Sequence, residues 1–316
     1  MTRVLVTGAT GFIGTALVPL LARAGFHVIA ALRRPLPDLR LLAEPHVVGE
    51  IGPSTRWSEV LNGVSAVVHV AGPAHGRNEG GVEPSAWQWR GGAIGTRVLA
   101  QAAAEAGVRR FVFISSVKAA GERTDGEPWR ESDQPAPQDG YGRAKLAGER
   151  ALMECARNSA LEPTILRPPL VHGPGVKANV LALLRCMQAG IPLPLADIHN
   201  RRSIISIHSL VDAVMTVLIH PRAAGQTYYV RDGDLSTFEI AHALARGAGL
   251  TPKFYRAPPP FLRFAAQMIG RGEVAARLLD SLVVNDDKIR LGLGWMPRTD
   301  ASAALAATGA WFAHQR

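Results

Sequence analysis

Apolar residues in the first half of the chain come in short blocks, and the stretches between them carry a helical rhythm. The blocks Val4–Thr7, His27–Leu32, His46–Val48, Ala66–Ala71, Arg110–Ser115 and Thr164–Leu166 read as strands. Between them, Phe12–Ala24, Ala93–Ala106 and Tyr141–Ser159 predict helices with one face laid on a sheet. Short apolar strands alternating with helices predict an α/β fold with a doubly wound parallel sheet, covered on both faces. Right-handed crossovers place its ligands at the carboxyl ends of the strands. The second half is less regular, because Pro168, Pro169, Pro174, Pro192, Pro194 and the run Pro258–Pro260 break the pattern. It predicts a smaller C-terminal substrate-binding lobe of short helices, loops and a few strands. The expected division is 1–167 and 168–316. Residues 204–219, a strand followed by a buried helix, are able to return to the first part.

Composition adds little to this picture. The 316 residues are 47% hydrophobic, as in ordinary globular proteins, and carry a formal net charge of +9. The basic residues are scattered, with pairs such as Arg33-Arg34, Arg109-Arg110 and Arg201-Arg202 as the longest groups. No basic stripe interleaves with aromatics, so nucleic acid is not expected, and a small anionic ligand accounts for the charge. Cys155 and Cys186 read as buried apolar residues in helices, with neither a disulfide nor a zinc site expected. The ten histidines lack ligand spacing, so no metal is expected. No apolar run reaches the roughly 18 residues of a membrane span. The first strand begins at residue 3, leaving no room for a signal peptide. A cytoplasmic protein without a membrane partner is the expectation.

The candidate chemistry begins at Thr7-Gly8-Ala9-Thr10-Gly11-Phe12-Ile13-Gly14, between the first strand and the first helix. Gly8 permits the tight turn, Gly11 lets a pyrophosphate approach the backbone, and Gly14 lets helix and sheet pack closely. The first helical N–H groups then face the phosphates, so Gly8, Thr10, Gly11, Phe12, Ile13 and Gly14 are candidate dinucleotide-binding residues. An acidic residue at the end of the second strand would bind the ribose of NAD. Leu32 stands there instead, followed by Arg33 and Arg34, whose guanidinium groups suit a 2′-phosphate. NADP(H) is therefore favoured, with NAD(H) as the alternative.

Tyr141 and Lys145, four residues apart, share one helix face. A free tyrosine titrates near 10, about three units above neutrality. An adjacent ammonium stabilises its phenolate, so Tyr141 can move a proton to or from an alcohol oxygen during hydride transfer. Lys145 can also hold the nicotinamide ribose. The strand Phe113-Ile114-Ser115-Ser116 supplies a hydroxyl to share the substrate oxygen, with Ser116 chosen over its neighbour Ser115.

With the glycine turn, the serine and the Tyr–Lys pair in order, the chain resembles an extended short-chain dehydrogenase/reductase of the nucleotide-sugar epimerase/dehydratase group. The resemblance spans nearly all of the chain, through TGATGFIG at 7–14, HVAG at 69–72, FISS at 113–116, YGRAK at 141–145, LRPPLVHGPG at 166–175 and RRSIISIHSLVDAV at 201–214. LGLGWMPRTDASAAL at 291–305 resembles the group's C-terminal end. It implies a Rossmann-type first domain and a homodimer built from helices 93–106 and 146–159. It further implies that Ala71 and Gly72 border the cofactor, Pro168 and Leu170 touch the nicotinamide side, and Asn179 and Arg202 face the substrate diphosphate. Asn179 could equally cap a helix, and Arg202 a surface ion pair.

The sequence also departs from the group. Gly92-Ala93 precedes Gly95-Thr96 where many relatives carry Asn-Val, and Ala120 takes the place of a tyrosine common before the following glycine. Val117-Lys118 replaces the Asp-Glu pair that dehydratases place after the active-site hydroxyl, which argues against water elimination. Lys118 is free to contact a substrate phosphate or to remain solvated. The leading expectation is a reductase of a UDP-4-keto-6-deoxy sugar. The alternatives are a UDP-sugar 4-epimerase holding NAD tightly, an NADPH ketone reductase for a non-sugar substrate, and a non-catalytic dinucleotide sensor.

Overall fold

A computed structural model describes residues 2–35, 42–72 and 83–315. Its strands are β1 (Arg3–Thr7), β2 (His27–Leu32), β3 (Glu44–Val47), β4 (Ala66–His69), β5 (Arg110–Ile114), β6 (Glu162–Arg167), β7 (Leu170–His172), β8 (Arg202–Ser206), β9 (Gln226–Tyr229) and β10 (Gly233–Leu235). Its α-helices are α1 (Phe12–Arg23), α2 (Ala86–Gln88), α3 (Gly95–Glu105), α4 (Gly140–Arg157), α5 (Ala178–Gln188), α6 (Ile207–Ile219), α7 (Thr237–Ala248), α8 (Pro259–Met268), α9 (Gly272–Leu279), α10 (Asp287–Leu293) and α11 (Ala301–Ala313).

Seven parallel strands form the main sheet in the order β3-β2-β1-β4-β5-β6-β9. The order reverses between β1 and β4, which opens a crevice at the carboxyl ends of those strands. Strands β4 and β5 are buried throughout, as the unbroken apolar runs require. Helix α1 buries Gly14, Leu17, Val18 and Leu21 on its sheet-facing stripe, and the chain turns out of it at Gly25 with φ +87°. The outer strand β3 carries Pro45, which lacks an N–H to donate and is tolerated at an edge.

Several boundaries differ from expectation. Helix α3 begins at Gly95 rather than Ala93, because Trp89–Ile94 form a wider π-helical turn that links it to α2. Gly91 and Gly92 lie in that turn and lower the cost of its unusual backbone. Strand β9 was not expected, yet Tyr228 and Tyr229 are buried and pair with β6. Cys155 and Cys186 lie in α4 and α5, but both are half-buried rather than buried.

The rest of the chain builds a three-stranded sheet, with β8 between β7 (parallel) and β10 (antiparallel). Helix α6 follows β8 directly, capped by the Ser206 hydroxyl, which accepts the Ser209 N–H. Its buried residues, including Leu210 and Val214, join Val4, Val6 and Leu17 in one apolar cluster on a face of the main sheet. Among the described residues, no helix is long and apolar enough to cross a membrane.

Helices α7 and α11 cross at glycine. A methyl group at Gly247 would collide with the backbone of Ala306, and one at Gly309 with the backbone of Leu244. Such close approach leaves no void for a side chain, and overpacking of this kind costs about 1–3 kcal/mol. Gly247→Ala is expected to lower the urea-unfolding free energy by about that amount. An unchanged midpoint and slope would show that the crossing relaxes without strain.

Candidate active site

The crevice floor is built by the glycine turn. Gly8 has φ +69°, and a Cβ there would lie 2.8 Å from the Ala71 backbone nitrogen. A Cβ at Gly14 would run into the backbone of Gly8 and Ala9. Gly11 is the N-cap of α1 and provides no side-chain cap, and no acidic residue lies in the first turn. The exposed Thr10 and Gly11, and the half-buried Phe12 and Ile13, therefore leave the first N–H groups of α1 open to an anion. A nicotinamide dinucleotide fits this cradle, and Arg33 and Arg34 are exposed just beyond β2.

Behind the cradle, His69 is buried at the end of β4. Its Nδ1 lies 2.7 Å from Thr7 Oγ1, and its Nε2 lies 3.1 Å from Thr96 Oγ1. Thr96 donates its hydroxyl proton to the Gly92 carbonyl at 2.5 Å, so it must accept from Nε2–H. Thr7 accepts the Ala71 N–H at 3.1 Å and keeps its own proton for Nδ1. Proton counting thus fixes a neutral tautomer. Burial first, and the Lys145 charge second, push the imidazole down to about 3, so it stays uncharged across the working pH range.

Helix α4 begins at Asp139, whose carboxylate accepts the Gly142 N–H at 2.7 Å. This cap places Tyr141 and Lys145 in the first turns, on the side of β5. Lys145 Nζ donates to the Ile114 carbonyl at 2.9 Å and lies 4.9 Å from the Phe113 ring centre and 6.0 Å from that of Tyr141. Gly72 lies against the same ammonium, since a Cβ there would be 3.1 Å from Nζ. Burial pulls Lys145 down to about 8, opposed by the Glu149 carboxylate.

The two serines after β5 have different environments. Ser115 is buried and its Oγ donates to Glu149 Oε1 at 2.5 Å. Ser116 Oγ accepts the Lys118 N–H at 3.2 Å and retains its own proton as a donor. Pro168 is buried, and its carbonyl accepts the Val117 N–H at 3.0 Å, which ties the Ser116 turn to the segment before β7. Leu170 opens β7 and is half-buried.

Glu149 belongs to a network that the motifs did not reveal. Arg167, at the end of β6, grips it with Nε at 3.0 Å and Nη2 at 2.6 Å, a forked pair in which both side chains are buried. Arg167 Nη1 also donates to the Tyr229 hydroxyl at 3.2 Å. Burial pushes the Tyr229 phenol up to about 12, so it remains neutral. The spacing of Glu149 after Lys145 was the available signal, since a carboxylate one turn beyond a buried lysine lies on the same helix face.

The expected substrate side is more scattered. Arg202 is half-buried on β8 and donates to the Asp280 carbonyl at 2.9 Å. Burial lowers its affinity for a proton, and the neighbouring Arg277 charge adds to that effect. Arg277 was not singled out from the sequence, and its Nη2 lies 3.2 Å from Glu273. Asn179 is exposed in the first turn of α5, where Lys177 rather than Asn179 occupies the N-cap. The preceding Ala178 has φ +52°, a left-handed conformation rare for a residue with a Cβ. Lys118 pairs with Asp139 and lies 3.6 Å from Glu122, so its ammonium is engaged beside the α4 cap.

A doubly wound sheet, a glycine cradle at its crevice and a Ser–Tyr–Lys set beside it define an NAD(P)-dependent enzyme of the short-chain dehydrogenase/reductase type. Residues 4–230 match the NAD dependent epimerase/dehydratase family, and the chain belongs to that family. It is 39% identical over 301 residues to the UDP-glucose 4-epimerase of Vibrio cholerae, spanning 93% of this chain and 90% of that enzyme. It is 28% identical over 334 residues to the dTDP-glucose 4,6-dehydratase of Streptomyces niveus, spanning 99% and 94%. The solved structure of MoeE5 in complex with UDP-glucuronic acid and NAD resembles it with a TM-score of 0.80 and 28% identity, covering 99% of this chain and 100% of that one.

The buried ammonium has a measurable signature. The folded Lys145 titrates at about 8, below the ordinary lysine value of 10.5, so its charged form is penalised by folding. The penalty is complete below pH 8 and fades as pH rises towards 10.5, where the unfolded lysine also loses its proton. The stability difference between wild type and Lys145→Met is expected to move in favour of wild type over that window. The expected change is on the order of 3 kcal/mol. A difference that stays flat from pH 7 to 10 in urea titrations would mean that Lys145 is not desolvated.

Proposed function

We propose that the chain is a UDP-sugar 4-epimerase. The observation that carries this reading is the 39% identity to the Vibrio cholerae UDP-glucose 4-epimerase over 301 residues, 93% of this chain. A nicotinamide dinucleotide, when bound, would supply reversible hydride transfer at the sugar carbon. Tyr141 takes and returns the proton of the C4 oxygen, Ser116 donates a hydrogen bond to that oxygen, and the Lys145 ammonium favours the phenolate. Gly8, Thr10, Gly11, Phe12, Ile13, Gly14, Ala71 and Gly72 hold the dinucleotide, with Pro168 and Leu170 on the nicotinamide side. Arg202 holds the diphosphate, helped by the Arg277 charge, and Asn179 lies at its edge. Lys118, already bound to Asp139, acts mainly as a brace for the Ser116 turn.

The Val117-Lys118 pair offers no acid at the place where elimination of water requires one, which supports epimerisation over dehydration. The same reading carries a cytoplasmic homodimer joined through α3 and α4.

A second reading, a UDP-4-keto-6-deoxy-sugar reductase using NADPH, is favoured by one observation. Leu32 ends β2 where an acid would bind the NAD ribose, and the exposed Arg33 and Arg34 follow. The two readings part at the cofactor. An epimerase retains its NAD through both half-reactions and copurifies with it, converting UDP-glucose or UDP-N-acetylglucosamine to the C4 epimer without net consumption. A reductase is isolated empty and oxidises NADPH stoichiometrically with a UDP-4-keto-6-deoxy sugar. Mass spectrometry of the purified protein followed by these two assays separates them, and neither turnover would overturn both readings.

Tyr141→Phe is expected to lower turnover at least 1,000-fold while dinucleotide binding, measured by fluorescence, stays within about twofold. Wild-type turnover in that variant would remove Tyr141 from the proton path. Arg33→Ala is expected to weaken NADPH roughly tenfold more than NADH if Arg33 contacts a 2′-phosphate. Equal weakening of the two would leave NAD as the working cofactor.

A further inference from the structure

Helix α8 is anomalous because none of its residues is buried. Phe261, Phe264 and Met268 are 62%, 61% and 72% exposed, and Ile269, just past its end, is 70% exposed. At 100° per residue, Phe261, Phe264, Ala265 and Met268 form one stripe. Leu262 and Ala266 lie on another face of the helix, and Leu262 packs against the apolar cluster around Leu184 and Leu244. The helix is therefore seated by one side and displays large apolar groups on another. Tyr255 before it and Val274 in α9 are exposed as well.

The charge around this stripe is net positive. Residues 253–280 contain Lys253, Arg256, Arg263, Arg271 and Arg277 against Glu273 and Asp280. Arg256 pairs with Asp197 at 3.5 Å, Arg263 with Asp280 at 2.5 Å and Arg277 with Glu273, which leaves the exposed Lys253 and Arg271 as the cations available to an anionic surface. A short helix with aromatic and long apolar side chains on an exposed face, with Lys253 and Arg271 exposed nearby in the chain, has the design of an element that lies in a bilayer interface. A second copy of the chain would bring a like-charged set against this one, which disfavours self-association through the same face.

We propose that the α8 face docks the protein on an anionic phospholipid surface, with Phe261, Phe264 and Met268 entering the interface and Arg271 and Lys253 facing the headgroups. This docking requires no spanning segment, and it goes beyond the activity proposed above without depending on it.

The test is cosedimentation of the full chain with vesicles of 30% phosphatidylglycerol in phosphatidylcholine, and with vesicles of phosphatidylcholine alone. The wild type is expected to bind the anionic vesicles at least tenfold more tightly, and to lose most of that binding in 0.5 M salt. Phe264→Glu and Arg271→Glu are each expected to weaken binding at least fivefold. Both side chains are exposed, so circular dichroism and dinucleotide binding should be unchanged. No wild-type binding to anionic vesicles would overturn the proposal. So would binding that survives both substitutions. A wild-type dimer in light scattering that Phe264→Glu converts to monomer would assign the face to a second copy instead.

Discussion

The Glu149–Arg167 pair is the contact on which the site's geometry rests. Two charges removed from water each cost several kcal/mol, and their attraction offsets this only where the geometry is good and the remaining hydrogen bonds are made. Here the fork is bidentate, the Ser115 hydroxyl fills a further carboxylate position, and the Tyr229 hydroxyl takes another guanidinium proton. The four side chains come from α4, β6, β9 and the segment after β5. Three of them adjoin candidate site residues: Ser115 precedes Ser116, Arg167 precedes Pro168, and Glu149 lies one turn past Lys145. Removing either charge would leave the other buried and unmatched, an effect of about 3–5 kcal/mol in comparable pairs.

A second polar chain sets the electrical balance next to it. The protons pass from Ala71 through Thr7, His69 and Thr96 to the Gly92 carbonyl with every donor used once. A neutral imidazole at that depth leaves Lys145 as the cation on the crevice side of β5, with Glu149 opposing its desolvation. The lysine is thus charged at neutral pH but close to its limit, a state that a phenolate or an anionic ligand nearby would favour.

Much of this was legible in the sequence because it depends on local rules. Glycine spacing between a strand and a helix, and the four-residue step from Tyr141 to Lys145, follow from backbone geometry alone. The sequence favours Ser116 over Ser115, and because neighbouring residues at a strand end point to opposite sides, the two hydroxyls serve different surroundings. What escaped was long-range. Strand β9 is only four residues with mixed polarity, and its Tyr229 becomes intelligible only once Arg167 is beside it. The π-helical turn at Trp89–Ile94 ends against Gly95, where a Cβ would lie 2.7 Å from the side chain of the sequence-distant Ile51. Cys155 and Cys186 were taken as buried on composition, while helix orientation leaves both half-covered.

The order of the main sheet has a consequence for how the chain acquires its shape. Strand β9 docks on β6, yet 58 residues, 168–225, intervene, and they include β7, α5, β8 and α6. The outermost strand can close the sheet only after that excursion has been laid down, or while it is. Contacts so distant along the chain raise the entropic toll of loop closure and slow the approach to the native state. The Arg167 guanidinium meets the Tyr229 hydroxyl only at this step, so the network beneath the crevice is complete only once β9 has docked.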